Sequence, residues 1–292
     1  MSETKAFDLL KGRYCIAAIV IAWYWQPGAG ALARATGHAE PYWLDVIDHY
    51  YGTILLAIFL LAALWVSRLD YRELVGRAPE RRDIRAIALT VLLTFCASSA
   101  IVVFTFVPLS YIFPTFVTWW LRWAFSPIIY ISADGTFPIA ANLLNLLSLV
   151  VLGPILEEAV FRGYLLHRWS LKWGLGTGVT LSSALFGALH PDPIAAMVTG
   201  FGFALLYLKT QSLWNAIFAH GTYNLVVWLQ SIEDTITDLS NYPVYALDQF
   251  QASWWWGVLQ LIVVLIIMDR LLRRDAPLGP FVLPQTDGRR QQ

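Results

Sequence analysis

The chain reads as an all-α polytopic transmembrane helical bundle of about eight spans, and three observations predict it. Of its 292 residues, 58% are hydrophobic and only 14% are charged, where a soluble domain carries about 25% charged residues. The apolar residues arrive in runs of about twenty, the length at which a helix crosses a hydrocarbon core of about 30 Å. Fourteen tryptophans and thirteen tyrosines gather near the ends of these runs, as interfacial belts do. The formal net charge is zero, so the expected partner is the lipid bilayer and not nucleic acid.

The runs fall at roughly 13–33, 50–67, 86–108, 138–168, 174–190, 193–209, 211–229 and 253–271. Gln26, Pro27 and neighbouring glycines interrupt the first, which is expected to stop near Trp25. Pro154 lies inside the fourth and predicts a kink, or a break into a span and a short intramembrane helix. The aromatic stretch 109–137 contains Pro114 and Pro127 and follows Pro108. It reads as a loop with an interfacial helix around Phe116–Phe125. Three regions follow: 1–137 with the first spans and the aromatic loop, 138–229 as a helical core, and 230–292 with an outer loop, the last span and a flexible tail.

Lys and Arg set the orientation. Arg68, Arg72, Arg77, Arg81, Arg82 and Arg85 fall between the second and third runs. Arg168 and Lys172 follow the fourth, Lys209 the sixth, and Arg270, Arg273 and Arg274 the eighth. Segment 230–252 instead holds Glu233, Asp234, Asp238 and Asp248, read as a solvated outer face. Both termini are expected to be cytoplasmic, in what reads as a prokaryotic cytoplasmic membrane. No cleavable signal peptide is evident. Cys15 and Cys96 lack any paired spacing and read as small core residues. His38, His49 and His167 lie at run ends or loops and read as interfacial.

Chemistry concentrates in three places within apolar runs. The first is Glu157-Glu158-Ala159-Val160-Phe161-Arg162. Ionisable residues at bilayer depth cost roughly 3 kcal/mol or more on insertion scales and face a bundle interior or an aqueous cavity. Glu158 and Arg162 are four apart, share a helix face and can pair. Glu157 points about 100° away and lacks a partner on its own helix. The second place is Phe186 and His190, the third His220 and Asn224, each pair again four apart. A buried glutamate suits general-base activation of water, a histidine can hold that water, and a second histidine with an amide can donate to an oxyanion. No serine or cysteine with a matching base is evident, so a covalent route is disfavoured.

Glu-Glu-x-x-x-Arg, Phe-x-x-x-His and His-x-x-x-Asn, in that order and each in an apolar run, resemble the CPBP family. It includes the CAAX prenyl endopeptidases that process Ras-type proteins and bacterial relatives linked to bacteriocin self-immunity. The resemblance covers about 138–229 and extends to Gly163, Leu152-Gly153-Pro154-Ile155 and Lys209-Thr210-Gln211-Ser212-Leu213-Trp214. It implies a glutamic intramembrane endopeptidase without a cofactor. Glu157 would be the base, His190 would help hold the water, and His220 and Asn224 would form the oxyanion site. Glu158, Arg162 and Phe186 would support them. The implied substrate is a membrane-anchored or lipid-modified protein or peptide.

Two other classes fit the same residues. One is a zinc protease with Glu157, His190 and His220 as ligands, a known catalytic combination, although no His-Glu-x-x-His helix is present. The other is a non-catalytic immunity, scaffold or transport protein in which the buried charges form a structural network or a proton relay. Counting ~1.5 Å per residue places Glu157 and His220 near mid-bilayer and His190 nearer the outer face. Bringing them together requires tilt, the Pro154 break or a re-entrant segment.

Overall fold

All eight apolar runs form helices, because backbone groups in hydrocarbon must bond within their own segment. The computed structural model describes residues 11–24, 29–37, 41–67, 71–125, 128–132, 134–237 and 247–272. Helices α1 (Gly12–Tyr24), α2 (Ala29–Ala35), α3 (Pro41–Ser67), α4 (Tyr71–Val75), α5 (Asp83–Ile112) and α6 (Pro114–Ala124) lead to α7. Helix α7 runs over Ile139–Trp173. Then come α8 (Leu175–Ala188), α9 (Pro193–Thr210), α10 (Leu213–Thr237), α11 (Leu247–Ala252) and α12 (Trp254–Leu272). Lys5, His38, Arg68, Asp238, Arg273, Arg274 and the tail 275–292 lie outside the described residues, as do the side chains of Glu233 and Asp234.

The protein is an all-α membrane protein. By length and composition, five stretches can cross a membrane: Tyr42–Val66, Asp83–Ile112, Ile139–Trp173, Pro193–Thr210 and Leu247–Leu271. Gly12–Ala22 and Leu175–Ala188 are apolar but shorter. Helix α10 has 25 residues, but Asn215, His220, Asn224, Gln230, Glu233 and Asp234 dilute its apolar character. Among the described residues, five helices are thus long and apolar enough to cross a membrane, and two shorter apolar helices and α10 make up the rest of the expected eight.

Two prolines behave differently from expectation. Helix α5 continues through Pro108 to Ile112, four residues past the expected end. Helix α7 neither breaks nor divides at Pro154. It widens instead: Ser148–Leu152 and Ala159–Leu166 are π-helical and bracket the α-helical turn Gly153–Glu158. A proline lacks an N–H and clashes with the carbonyl four residues back, and a π-turn absorbs both defects. The Gly153 N–H bonds to Ser148 O, five residues back, which leaves Leu149 O open to another donor. Pro154 likewise sends no N–H to Val150 O.

Helix α10 packs against these carbonyls. The Asn224 Nδ2 donates to Leu149 O at 2.9 Å. Gly221 lies so close that a Cβ there would stand 2.6 Å from Val150 O. The residue that would block this approach is absent, so His220 and Asn224 sit on either side of the contact. The two motifs meet where the proline disturbs α7.

The ends of the bundle are tied by polar contacts. The Arg77 guanidinium donates to both Asp83 oxygens, at 2.8 and 2.7 Å, and to Thr210 O at 2.9 Å. The Ser212 hydroxyl donates to Arg77 O at 2.7 Å. The arginine-rich α4–α5 connection and the Lys209 end of α9 therefore share one face of the bundle. Asp83 holds the Arg77 guanidinium above its ordinary basicity through these hydrogen bonds.

Candidate active site

Helix α7 delivers Glu157 and Glu158 to different surroundings. Glu158 is fully buried, and so is Arg162 one turn on. The Arg162 Nη1 donates to Glu158 Oε1 at 2.8 Å, and its Nη2 donates to Gly200 O of α9 at 2.8 Å. The guanidinium lies over the Phe186 ring, 4.6 Å from its centre. A Cβ at residue 200 would stand 3.1 Å from Nη2 and 3.0 Å from Phe186, so a glycine there lets its carbonyl reach the arginine. His220 completes the cluster: its Nδ1 donates to Glu158 Oε1 at 2.9 Å. The expected Glu158–Arg162 pair thus exists as a three-way junction of α7, α9 and α10.

Glu157 faces the other way. Its Oε2 is buried without a hydrogen-bond partner among the described residues, and it lies 4.0 Å from His220 Nε2. The Glu157 side chain keeps 17% of its exposure, while that of Glu158 keeps none. Glu157 and Asn224 line a cavity of about 290 Å³ between α3 and α7. With its Nδ1 proton donated to Glu158, a neutral His220 presents a lone pair at Nε2 towards Glu157. A doubly protonated His220 would present an N–H there instead.

Phe186 brings the two histidines together. Its ring centre lies 4.4 Å from that of His190 and 5.7 Å from that of His220. His220 also stacks on Phe203 at 5.0 Å. The His190 Nδ1 donates to Phe186 O at 2.7 Å, which fixes Nε2 as the acceptor of the neutral ring. The depth mismatch is resolved by the end of α8, where the chain turns at Leu189 and the His190 N–H bonds to Gly187 O. Asp192 follows in the turn. Burial raises its carboxyl above the ordinary range, and His190 opposes that rise.

Among the described residues, no three His, Cys, Asp or Glu side chains form a group that could hold a metal ion. Phe186 neighbours His190 and His220, and Glu157 approaches His220 Nε2. Cys15 and Cys96 are buried free thiols.

The structure corrects two expectations about the remaining histidines. His167 is buried, not interfacial, and its ring Nε2 is 2.8 Å from the Tyr207 hydroxyl. His49 lines the cavity with Glu157, together with Asp45, Asp48 and Thr53 of α3. The signal for this wall was present: residues 45, 48, 49, 52, 53 and 56 form one helical face. Hydropathy alone hides it, because the apolar run begins at 50 whereas the helix begins at Pro41. Asn142 clamps the Tyr130 backbone through both atoms of its amide, and Asn145 donates to the Tyr130 hydroxyl.

Comparison with known proteins points to the same segment. Residues 139–226 match the family model described as "Type II CAAX prenyl endopeptidase Rce1-like". A Bacillus subtilis (strain 168) protein named "Putative membrane peptidase YdiL" is 35% identical over 86 residues, 28% of this chain and 35% of that protein. The chain thus matches about a third of that relative's length. No solved structure matches. The matched segment, similar to Type II CAAX prenyl endopeptidases of the Rce1-like kind, holds both glutamates, both site histidines and Asn224.

Proposed function

We propose that the chain is an intramembrane endopeptidase that hydrolyses a peptide bond with water activated by Glu157. One observation carries this reading: Glu157 lines the cavity with a buried, unpartnered Oε2, while Glu158 is shut away from it with its Oε1 committed to Arg162 and His220 and only its own Oε2 unpartnered. The 4.0 Å between Glu157 Oε2 and His220 Nε2 exceeds a direct hydrogen bond and suits one bridging water.

In the proposed reaction Glu157 takes a proton from that water as its oxygen attacks the scissile carbonyl carbon. The carbonyl oxygen becomes an oxyanion. The Asn224 amide keeps one N–H beyond the bond to Leu149, and the protonated form of His220 has an Nε2–H, so both can donate to it. The C–N bond then breaks, and the proton held by Glu157 passes to the leaving amine. His190 helps position the water. Glu158 and Arg162 hold His220 in place and take no part in proton transfer.

The substrate is a membrane-anchored or lipid-modified protein segment, the class suggested by the CAAX prenyl endopeptidase family. The distribution of Lys and Arg along the sequence supports cytoplasmic termini. The test is cleavage of prenylated and membrane-anchored peptides by purified protein in liposomes, with and without a zinc chelator. Cleavage that survives chelation and is lost in Glu157→Gln supports the reading. Cleavage abolished by chelation and restored by zinc transfers Glu157, His190 and His220 to a metal site.

A further inference from the structure

We propose that Trp120 of helix α6 is a positioning residue that sets the ring of His190. Helix α6 is amphipathic. Its Phe116, Trp119 and Trp123 are 46%, 59% and 50% exposed, whereas Val117, Trp120 and Leu121 are buried. Trp120 alone of these reaches the active-site side. Its indole Nε1–H donates to Pro191 O at 2.8 Å, one residue after His190.

The contact is built from both sides. The Trp120 ring lies flat on Phe106 of α5, with centres 3.5 Å apart and planes 5° apart. Phe125 meets its edge at 5.8 Å, and Phe250 lies 6.3 Å away. The indole therefore has little freedom to turn its N–H elsewhere. On the other side His190 is held at its N–H by Gly187 O and at its ring by Phe186 O. Pro191 and Pro193 stiffen the connection, because proline fixes its own φ and restricts the residue before it. The bond from Trp120 fixes the C-terminal side of the same residue. The other tie on that side is the Ala196 N–H of α9, which bonds to Asp192 O at 2.9 Å, so the Trp120 bond is the contact that holds the Pro191 carbonyl itself.

The histidine's placement thus depends on a helix outside the segment 139–226 that carries the three motifs. Helix α6 exposes its aromatic outer face and directs the indole N–H of Trp120 to the turn that carries His190. A site assembled wholly within α7–α10 would need no such brace.

The inference rests on His190 serving the proposed hydrolytic site, but its spectroscopic test does not. Trp120→Phe keeps the aromatic stack and removes only the N–H donor. The full-length variant in detergent is compared with wild type by NMR of histidine-labelled protein, with His190 assigned through His190→Gln. The expected result is a displaced His190 ring signal with the His167 and His220 signals unmoved. Where peptide cleavage is measurable, kcat falls on the order of tenfold while KM stays unchanged. Trp119→Phe, on the exposed face, leaves both as in wild type. A His190 signal in folded Trp120→Phe identical to wild type overturns the proposal, whatever the activity. Should Trp120→Phe not fold, Phe106→Leu retains the N–H but loosens the ring, and an unmoved His190 signal there overturns the proposal equally. A displaced signal with unchanged kcat upholds the brace and overturns instead the assignment of His190 to the hydrolytic reaction.

Discussion

Glu157 and Glu158 are adjacent in the chain and each buries an Oε2 without a hydrogen-bond partner, yet their surroundings differ. Glu158 points into the junction of α7, α9 and α10, where Arg162 and His220 saturate one of its oxygens. Glu157, about 100° around the helix, faces a cavity with an unpartnered oxygen. The difference separates two tasks that a pair of acids can share. A buried, paired carboxylate orders its neighbours. A partnerless carboxylate at a cavity is available for proton transfer.

The comparison breaks most visibly at Glu158. Glu158→Gln leaves the Arg162 guanidinium buried without a counter-charge, which costs about 3–5 kcal/mol. Thermal unfolding in detergent should show a large loss of stability. Asn224→Ala comes next. It removes an amide that both bonds Leu149 O and faces the cavity, and loss of one oxyanion donor costs about 10²–10³ in kcat, measured with a cleavable peptide. Gly221→Ala forces a methyl group towards Val150 O, where the Cβ would stand at 2.6 Å. Such overpacking costs about 1–3 kcal/mol, and unfolding by denaturant should show it. The smallest effect belongs to His49→Ala on the cavity's far wall. It should raise KM about threefold, a loss below ~1.4 kcal/mol in binding, and leave kcat unchanged, since His49 is assigned to shaping the cavity and not to the chemistry.

The sequence was most legible where helical spacing alone determines contact. Glu158 with Arg162, and Phe186 with His190, are four apart and meet as that spacing requires. His220 and Asn224 both turn to α7, as residues on one face must. Tertiary geometry decided the rest. Pro154 predicted a disturbance of the helix, and α7 carries it as two π-helical stretches, with α10 supplying an amide to one of the displaced carbonyls. Depth counting separated His190 from His220, since it could not anticipate that the ring of Phe186 touches both. His49 was assigned to an interface because hydropathy marks where a run becomes apolar, and α3 starts nine residues before that point. Trp120 carried no local signal, because its partner Pro191 is 71 residues away.

The most direct measurement places Glu157→Gln and Glu158→Gln side by side, recording thermal unfolding and peptide cleavage for each. The division of labour predicts that Glu157→Gln unfolds within about 1 kcal/mol of wild type, as a change outside any paired network does, and loses about 10²–10⁴ of its activity, the contribution of a general base. Glu158→Gln should lose stability first, with cleavage per folded molecule falling less. The account is contradicted if Glu157→Gln still cleaves at the wild-type rate, or if Glu158→Gln is as stable as wild type and inactive.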